Sequence, residues 1–347
     1  MAISVCGRKV TGLHDLAIII VSTNEGHWLG PCLTTVFEHA GGASLDVVVA
    51  DNRSTDGTRE LVEAEFASAR VVTCENRGFA HANNRGFMTT NARYVLFLNP
   101  DTEILEGTFG ELVRSLDDRP TVGLVGVKQV TPDGELFPTI RRFPNALRAL
   151  GEALGSERFP FRASWLGERE LDLDVYEREV DCDWTSGSFM LARREALLSG
   201  GILDERFFIY GEEPDLCLRM KQGGWEIRHL PTMTILHHAG KAGINPKMEA
   251  QNAIARMQHA QKHFGRAHRG AYRGALLMRY LLRTLPGGGE DASARITAAK
   301  KVLRVLTGLD SPPFGGPAPH AVRVEGIESE QPESSPVPRA GDHLEKV

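Results

Sequence analysis

Tyr94-Val95-Leu96-Phe97-Leu98-Asn99-Pro100-Asp101-Thr102-Glu103 is the stretch whose reading decides the fold. It opens on a continuous apolar run, the pattern of a strand covered on both faces in a parallel sheet. Pro100 cannot donate to a ladder, so the strand stops and acids follow at its carboxyl end. Ligands bind outside that end in open α/β sheets. An Asp fixed there can hold a hard divalent cation, which in turn can hold a diphosphate. The same residues also suit a plain strand-terminating turn, because Asn, Pro and Asp are turn formers.

Outward from this run, residues 16–21 and 45–50 are two further short apolar, β-branched runs. They end in Ser22-Thr23-Asn24-Glu25 and in Asp51-Asn52-Arg53-Ser54-Thr55-Asp56-Gly57-Thr58, clusters that suit helix N-termini. Helices are expected over 27–38 and 59–67. A brief strand at 71–73 leads into Asn76-Arg77-Gly78-Phe79-Ala80-His81-Ala82-Asn83-Asn84-Arg85-Gly86, a loop opening into a helix. Strands alternating with helices at this spacing predict βαβ units, hence an α/β fold with a mainly parallel, Rossmann-like sheet and helices on both faces. Glu25, Asp51 and Asp101 then converge on one crevice at the strand ends. A dinucleotide-binding oxidoreductase competes for such a sheet, but Ser22-Thr23-Asn24-Glu25-Gly26 offers no Gly-x-Gly-x-x-Gly to seat a pyrophosphate.

With 41% hydrophobic and 24% charged residues, the 347-residue chain has an ordinary globular composition, enough for one large core or two modest ones. A net charge of -5 argues against a general nucleic-acid binder. Cys6, Cys32, Cys74, Cys182 and Cys217 are scattered without any Cys-x-x-Cys, which reads as reduced thiols rather than disulfides or a zinc site. No secretory-signal pattern opens the sequence, and no apolar run approaches the roughly 20 residues needed to span a bilayer. The expected location is cytoplasmic, or peripheral on the inner face of the cell membrane.

Beyond Asp101 the sheet is expected to continue through 122–127, followed by a turn at Pro132-Asp133-Gly134-Glu135. Residues 143–180 lack clear periodicity and read either as an irregular lid-like insert or as a helical excursion. Trp184-Thr185-Ser186-Gly187-Ser188 is a small-residue turn feeding a strand, with a short helix after Arg194. In Gly211-Glu212-Glu213-Pro214-Asp215, Pro214 suits a first helical turn and places three acids at the positive end of a helix, where they are also stabilising without any chemistry. A later strand delivers His237-His238-Ala239-Gly240-Lys241.

Taken in order, these motifs resemble the family-2 glycosyltransferases of the GT-A fold, and within them the bacterial rhamnosyltransferase-like branch that builds surface polysaccharides. The likeness covers residues 16–241. It implies a metal-dependent, inverting transfer of a sugar such as rhamnose from a dTDP-, UDP- or GDP-linked donor to a glycan or polyprenyl-linked glycan. The resemblance would have Thr23, Asn24, Glu25, Asp51 and Arg53 grip the donor nucleoside, with Asn76, Gly78, Phe79, Asn83, Asn84 and Gly86 lining the donor pocket. Asp101 matches the last acid of the family's Asp-x-Asp, present here as Asn99-Pro100-Asp101. A single acid implies an exchangeable Mg²⁺ or Mn²⁺ completed by the diphosphate and by His237, with His238 as the other choice. The family's general base, the second acid of a Glu-Asp pair, falls on Glu213, where this chain has Glu in place of Asp. Glu212 and Asp215 are the alternatives. The longer side chain shifts the carboxylate by about one methylene, so the backbone must compensate. Lys241 or arginines would stabilise the leaving nucleoside diphosphate. Trp184, Ser186 and Gly187, with Glu212 and Asp215, would form the acceptor wall, although Trp184 also suits a plain core position. The departures from the pattern also admit a non-catalytic nucleotide-sugar or glycan-binding scaffold.

From 250 to 289 there is no acid but seven Lys and Arg residues. Apolar residues at helical spacing, including Leu276, Leu277, Tyr280 and Leu281, make this a basic amphipathic segment. It suits an anionic membrane surface, or packing on the catalytic unit with a solvated basic face. The expected organisation is a lead over 1–15, a nucleotide-sugar half over 16–130, an acceptor and catalytic half over 131–245, a helical extension over 246–309 and a disordered tail over 310–347.

Overall fold

The computed structural model describes residues 13–156, 164–238, 244–285 and 292–314. The first half alternates β1 (His14–Ser22), α1 (Gly26–Glu38), β2 (Leu45–Asp51), α2 (Thr58–Glu65), β3 (Ala69–Thr73), α3 (Phe79–Phe87) and β4 (Ala92–Leu98). Next come β5 (Thr102–Glu106), α4 (Phe109–Asp117), β6 (Val122–Val130), α5 (Ala146–Ala153), β7 (Val180–Asp181), β8 (Phe189–Arg193), α6 (Arg194–Gly200), α7 (Glu212–Gln222) and β9 (Glu226–His237). Helices α8 (Pro246–His263), α9 (Arg266–Arg283) and α10 (Ala292–Leu306) follow.

The strands form one sheet in the order β3-β2-β1-β4-β8-β6-β9-β5, with β7 paired to β9. Strands β1, β2, β3, β4, β6 and β9 run the same way, whereas β5, β7 and β8 oppose them. The mainly parallel α/β sheet expected from the apolar runs is present. Alternation along β1 explains its two-sided burial: Leu16, Ile18 and Ile20 pack with Leu29, Leu33 and Leu112, while Ala17 and Ile19 face the cluster of Phe87, Leu197 and Met220.

Register decides what meets at the carboxyl edge. Ser22 pairs with Asp51 and Ile20 with Leu98, so the polar turns after β1, β2 and β4 emerge side by side. Because β8 runs antiparallel to β4 with Phe189 opposite Leu98, the Ser186-Gly187-Ser188 turn lies against Asn99, whose N–H donates to Ser188 O at 3.0 Å. Strand β5 doubles back along β9 with Thr102 opposite His237.

The described part of 143–180 is more ordered than an irregular insert. It holds α5, capped by the Asn145 side chain accepting from Arg148 N, and 3-10 turns at Ser164–Leu166 and Leu173–Glu177. Its weak periodicity follows from what α5 buries: besides the Glu152 carboxylate only the small Ala149 and Gly151 are enclosed, against α9 and the segment around Leu166 rather than the sheet.

In the C-terminal segment Tyr272, Leu276 and Tyr280 are buried among α5, α8 and α10. Leu281 and Leu285, at 59% and 56% exposure, face outward. The segment therefore packs on the body of the protein and still presents apolar residues at its far end. Among the described residues no helix is long and apolar enough to cross a membrane. Lys241 and most of the 310–347 tail lie outside the described residues.

Candidate active site

The turns after β1 and β2 are bound to each other. Asn24, at φ 58°, donates its N–H to Ser54 Oγ at 2.9 Å and accepts from Thr55 N at 2.7 Å. Asn52 Nδ2 reaches Thr23 Oγ1 at 3.1 Å, and Ser54 N reaches Asp51 Oδ1 at 3.1 Å. Glu25 shares the crevice with Asp101: burial, with the charges of Asp101 and Asp56, pushes its carboxyl up to about 7, against a hydrogen bond from Thr23 N. Arg53 is exposed and lies 3.6 Å from Glu75. Thr23, Asn24, Glu25 and Asp51 thus form one wall, with Arg53 at its rim.

At the end of β4, Asp101 Oδ1 stands 3.5 Å from His237 Nε2, as the β5/β9 register dictates. His238 is engaged elsewhere, 2.6 Å from Glu103 Oε1 and stacked on Trp28 at 4.3 Å. His237 Nδ1 is buried without a partner among the described residues, and of the two histidines it is His237 whose ring approaches Asp101.

The donor-side loop is less open than expected. Asn76 is exposed and Phe79 half-buried, but Asn83 and Asn84 are enclosed in α3. Asn83 Nδ2 donates to Phe79 O at 3.1 Å; Asn84 Nδ2 donates to Leu203 O at 2.8 Å and Glu205 Oε1 at 3.0 Å. The helix turns both amides into the fold, where His81 joins Asn84 on Glu205 at 2.8 Å. Gly78, at φ 105°, lies so close to Phe208 that a Cβ would meet Phe208 O at 2.1 Å, and Phe79 N donates to the same oxygen. The loop therefore braces the segment that leads to α7.

That segment passes through Tyr210 at φ 68° and Gly211 at φ 89° into the first turn of α7. Glu213 there reaches a cleft of about 350 Å³ whose walls include Trp184, Ser186, Phe137 and Arg141. A Cβ on Gly187 would come within 2.7 Å of Glu213 Oε1, so the absence of a side chain at 187 provides the room that the extra methylene needs. Burial raises the Glu213 carboxyl above its ordinary range, opposed by the Gly187 and Gly211 backbone and by the Arg141 charge.

The alternatives for the base do not face the cleft. Asp215, two positions on and so about 200° around the helix, is fully buried and bound by Arg219 Nε at 2.9 Å, His263 Nε2 at 2.7 Å and Lys262 Nζ at 2.5 Å. Glu212 is buried with Oε2 unpartnered, and burial with the neighbouring Glu213 charge pushes its carboxyl well up, which favours the neutral form. Neither Glu212 nor Asp215 joins Trp184, Ser186 and Glu213 in the cleft lining. Trp184 is half-buried at that wall, with Nε1 donating to Arg142 O at 3.0 Å.

The far wall of the cleft was not legible in any local motif. It comes from Glu152, Glu168, Glu249, Asn252, Arg256 and Tyr280, in three separate parts of the chain. Arg256 reaches Glu152 at 3.1 Å and also pairs with Glu168, while Arg279 pairs with Glu152. The acid-free composition of 250–289 hinted at cations there, but not at their burial against acids of the insert.

The chain has counterparts among known proteins. The N-acetylglucosaminyl-diphospho-decaprenol L-rhamnosyltransferase of Mycobacterium tuberculosis is 31% identical over 244 residues, covering 67% of this chain and 78% of the relative. Rhamnosyltransferase WbbL of Escherichia coli is 24% identical over 237 residues, covering 64% of this chain and 83% of the relative. Among solved structures, a mannosyltransferase from Pyrobaculum calidifontis in complex with GDP-Man and Mn²⁺ aligns at TM-score 0.51 and 19% identity, covering 84% of this chain and 88% of that one, and so supports the GT-A fold. The profile described as glycosyl transferase family 2 matches residues 17–197, which span β1 to α6. On that match, the catalytic sheet and the crevice at its edge are those of a family-2 glycosyltransferase, and the chain belongs to that family.

Proposed function

We propose that this enzyme transfers rhamnose, with inversion, from a nucleoside-diphosphate donor to a sugar carried on a lipid diphosphate, as a step in cell-surface polysaccharide synthesis. The observation that carries the reading is Glu213, seated against Gly187 in a cleft beside Trp184. Phe137 lines the same cleft and meets His237 edge-on at 5.1 Å, so the cleft adjoins the Asp101 edge. The donor nucleoside would lie along Thr23, Asn24, Glu25 and Asp51. The acceptor ring would lie on Trp184, and Glu213 would take the proton of its attacking hydroxyl as that oxygen reaches the anomeric carbon from the face opposite the leaving group. The raised pKa of Glu213 suits it to accept that proton near neutral pH.

Asp101 and His237 fit a divalent cation as a partial ligand set, since their side chains converge at 3.5 Å with His237 otherwise unengaged at Nδ1. Among the described residues no group of three His, Cys, Asp or Glu could hold a metal ion without further ligands. The donor diphosphate would complete the site, and Mg²⁺ or Mn²⁺ bound there would neutralise charge on the leaving group. Lys241 would add to that neutralisation.

A membrane-facing surface would suit a lipid-linked acceptor. Leu147 and Leu150 of α5, with Leu154 at its end, form an exposed stripe, and α5 packs alongside α9, whose end and following turn expose Leu281, Leu282 and Leu285. We assign this leucine face to the inner leaflet, with exposed arginines of α9 meeting anionic headgroups.

Glu213→Gln tests the reading. Transfer from dTDP-rhamnose to a lipid-diphosphate-linked N-acetylglucosamine should fall to background while nucleotide-sugar affinity holds. A non-catalytic scaffold would show no transfer in the unmodified protein either, and full turnover by the variant would remove Glu213 as the base.

A further inference from the structure

Arg141 is a charged group of the cleft that the transfer chemistry leaves unused. Its main chain is clasped to Trp184, with Arg141 N donating to Trp184 O at 3.0 Å and Trp184 N donating to Arg141 O at 3.2 Å. Its guanidinium carbon lies over the Trp184 ring, 5.5 Å from the centroid. Because the indole Nε1 is itself tied to Arg142 O, the ring and the cation above it form a fixed platform.

The neighbouring arginines are neutralised: Arg256 and Arg279 pair with Glu152, and Arg256 also with Glu168. Arg141 has no hydrogen bond or ion pair from its side chain among the described residues, and its enclosed Nε has no acceptor. Burial, reinforced by the charge of Arg169, pushes its guanidinium pKa down, against the opposing charges of Glu168 and Glu213. A partly buried cation that feels the Glu168 and Glu213 charges but is bonded to neither carboxylate is costly to keep. Its upkeep makes sense where an anion completes it, and the planar donor fork of arginine matches phosphate oxygens.

We propose that Arg141 anchors the diphosphate of the acceptor. The acceptor sugar lies against Trp184 with its attacking hydroxyl toward Glu213, and the diphosphate on that sugar's anomeric carbon meets Arg141. The inference rests on the reading of the acceptor as a lipid diphosphate. Three features favour this diphosphate over the donor's. Arg141 stands on the acceptor platform itself. The donor diphosphate has its own place at Asp101 and His237, across Phe137. The cleft is bounded by Tyr280, next in sequence to the exposed Leu281, which gives a lipid tail an apolar way out.

Inorganic pyrophosphate titrated into the full-length protein in EDTA, which disables any metal-held site, tests the anion site directly. Calorimetry should show binding that weakens at least about tenfold in Arg141→Met and recovers in part in Arg141→Lys, the scale of a lost charge-assisted contact. Kinetics then compare N-acetylglucosamine on farnesyl diphosphate with its neutral octyl glycoside. Arg141→Met should raise KM for the diphosphate acceptor at least about tenfold more than for the glycoside, with donor affinity held. Equal pyrophosphate binding by Arg141→Met, or equal losses on both acceptors, overturns the proposal. A loss confined to nucleoside-diphosphate affinity overturns it in favour of a leaving-group role. Arg141-dependent pyrophosphate binding without any transfer to the diphosphate acceptor would keep the anion site and overturn the acceptor reading of the proposed function.

Discussion

Gly187 lies directly against the Glu213 carboxylate: a Cβ placed on it would stand 2.7 Å from Oε1 and 3.1 Å from Cγ. Any side chain at 187 must therefore displace the carboxylate proposed as the base. Gly187→Ala should lower kcat by about a hundredfold, the loss associated with a misplacement of about 1 Å, while donor affinity is retained. Steady-state kinetics beside donor calorimetry check this, and an unchanged kcat would mean the carboxylate has slack.

The electrostatics of Glu213 set a pH profile. Burial raises its carboxyl, and a base must be ionised to work, so kcat/KM should fall as pH drops through that raised value. The acid limb should lie clearly above the ordinary Glu range near about 4.3. A limb within the ordinary range would contradict the dry environment of the site.

At the sheet edge, Asp101→Asn should abolish metal-dependent binding of nucleoside diphosphate, since it removes the acid of the pair. His237→Ala should raise the Mn²⁺ concentration for half-maximal rate at least about tenfold, and His238→Ala should have a smaller effect because Glu103 and Trp28 already engage that ring. Calorimetry with and without EDTA separates the three variants. Equal effects at both histidines would refute the assignment.

Asp215 should govern stability rather than turnover. Burial pushes its carboxyl up, but His263, Arg219 and Lys262 outweigh burial and hold it well below the ordinary range. A carboxyl whose folded pKa is depressed contributes its stability in full above the unfolded value of about 3.9 and loses it as pH falls through the folded value. Asp215→Asn should cost about 3–5 kcal/mol at pH 7 by stranding buried cations, and the gap to the parent protein should narrow only below about pH 4. Urea unfolding across pH measures both; a pH-independent gap would point to packing.

The leucine face predicts membrane behaviour. Leu281→Glu with Leu285→Glu alters two exposed positions, so the fold should survive while sedimentation with anionic vesicles falls several-fold. Undiminished sedimentation would place the contact elsewhere.

The apolar runs made β1, β2 and β4 readable, and with them the meeting of Glu25, Asp51 and Asp101, because parallel register follows from alternation of strand and helix. The acids at the head of α7 were readable from Pro214, and the resemblance chose Glu213 among them. What stayed hidden depends on pairings between distant segments. Nothing local says that β8 enters antiparallel between β4 and β6, yet that entry puts Gly187 against Glu213. Only the family resemblance put Asn83 and Asn84 at the donor pocket, and nothing local says that Glu205 and Leu203, far along the chain, take up Asn84. Arg141 carried no signal at all, since its character comes from having no directly bonded acid among the described residues.

The buried tetrad of Glu152, Glu168, Arg256 and Arg279 has a bearing on how such an enzyme can be divided or recombined. A chain shortened before α8 would leave two enclosed carboxylates without cations and would lose a wall of the Glu213 cleft. Exchange of α8 and α9 between relatives would succeed only if the 143–180 segment travelled with them. For grafting purposes, the transplantable acceptor module is therefore discontinuous in sequence.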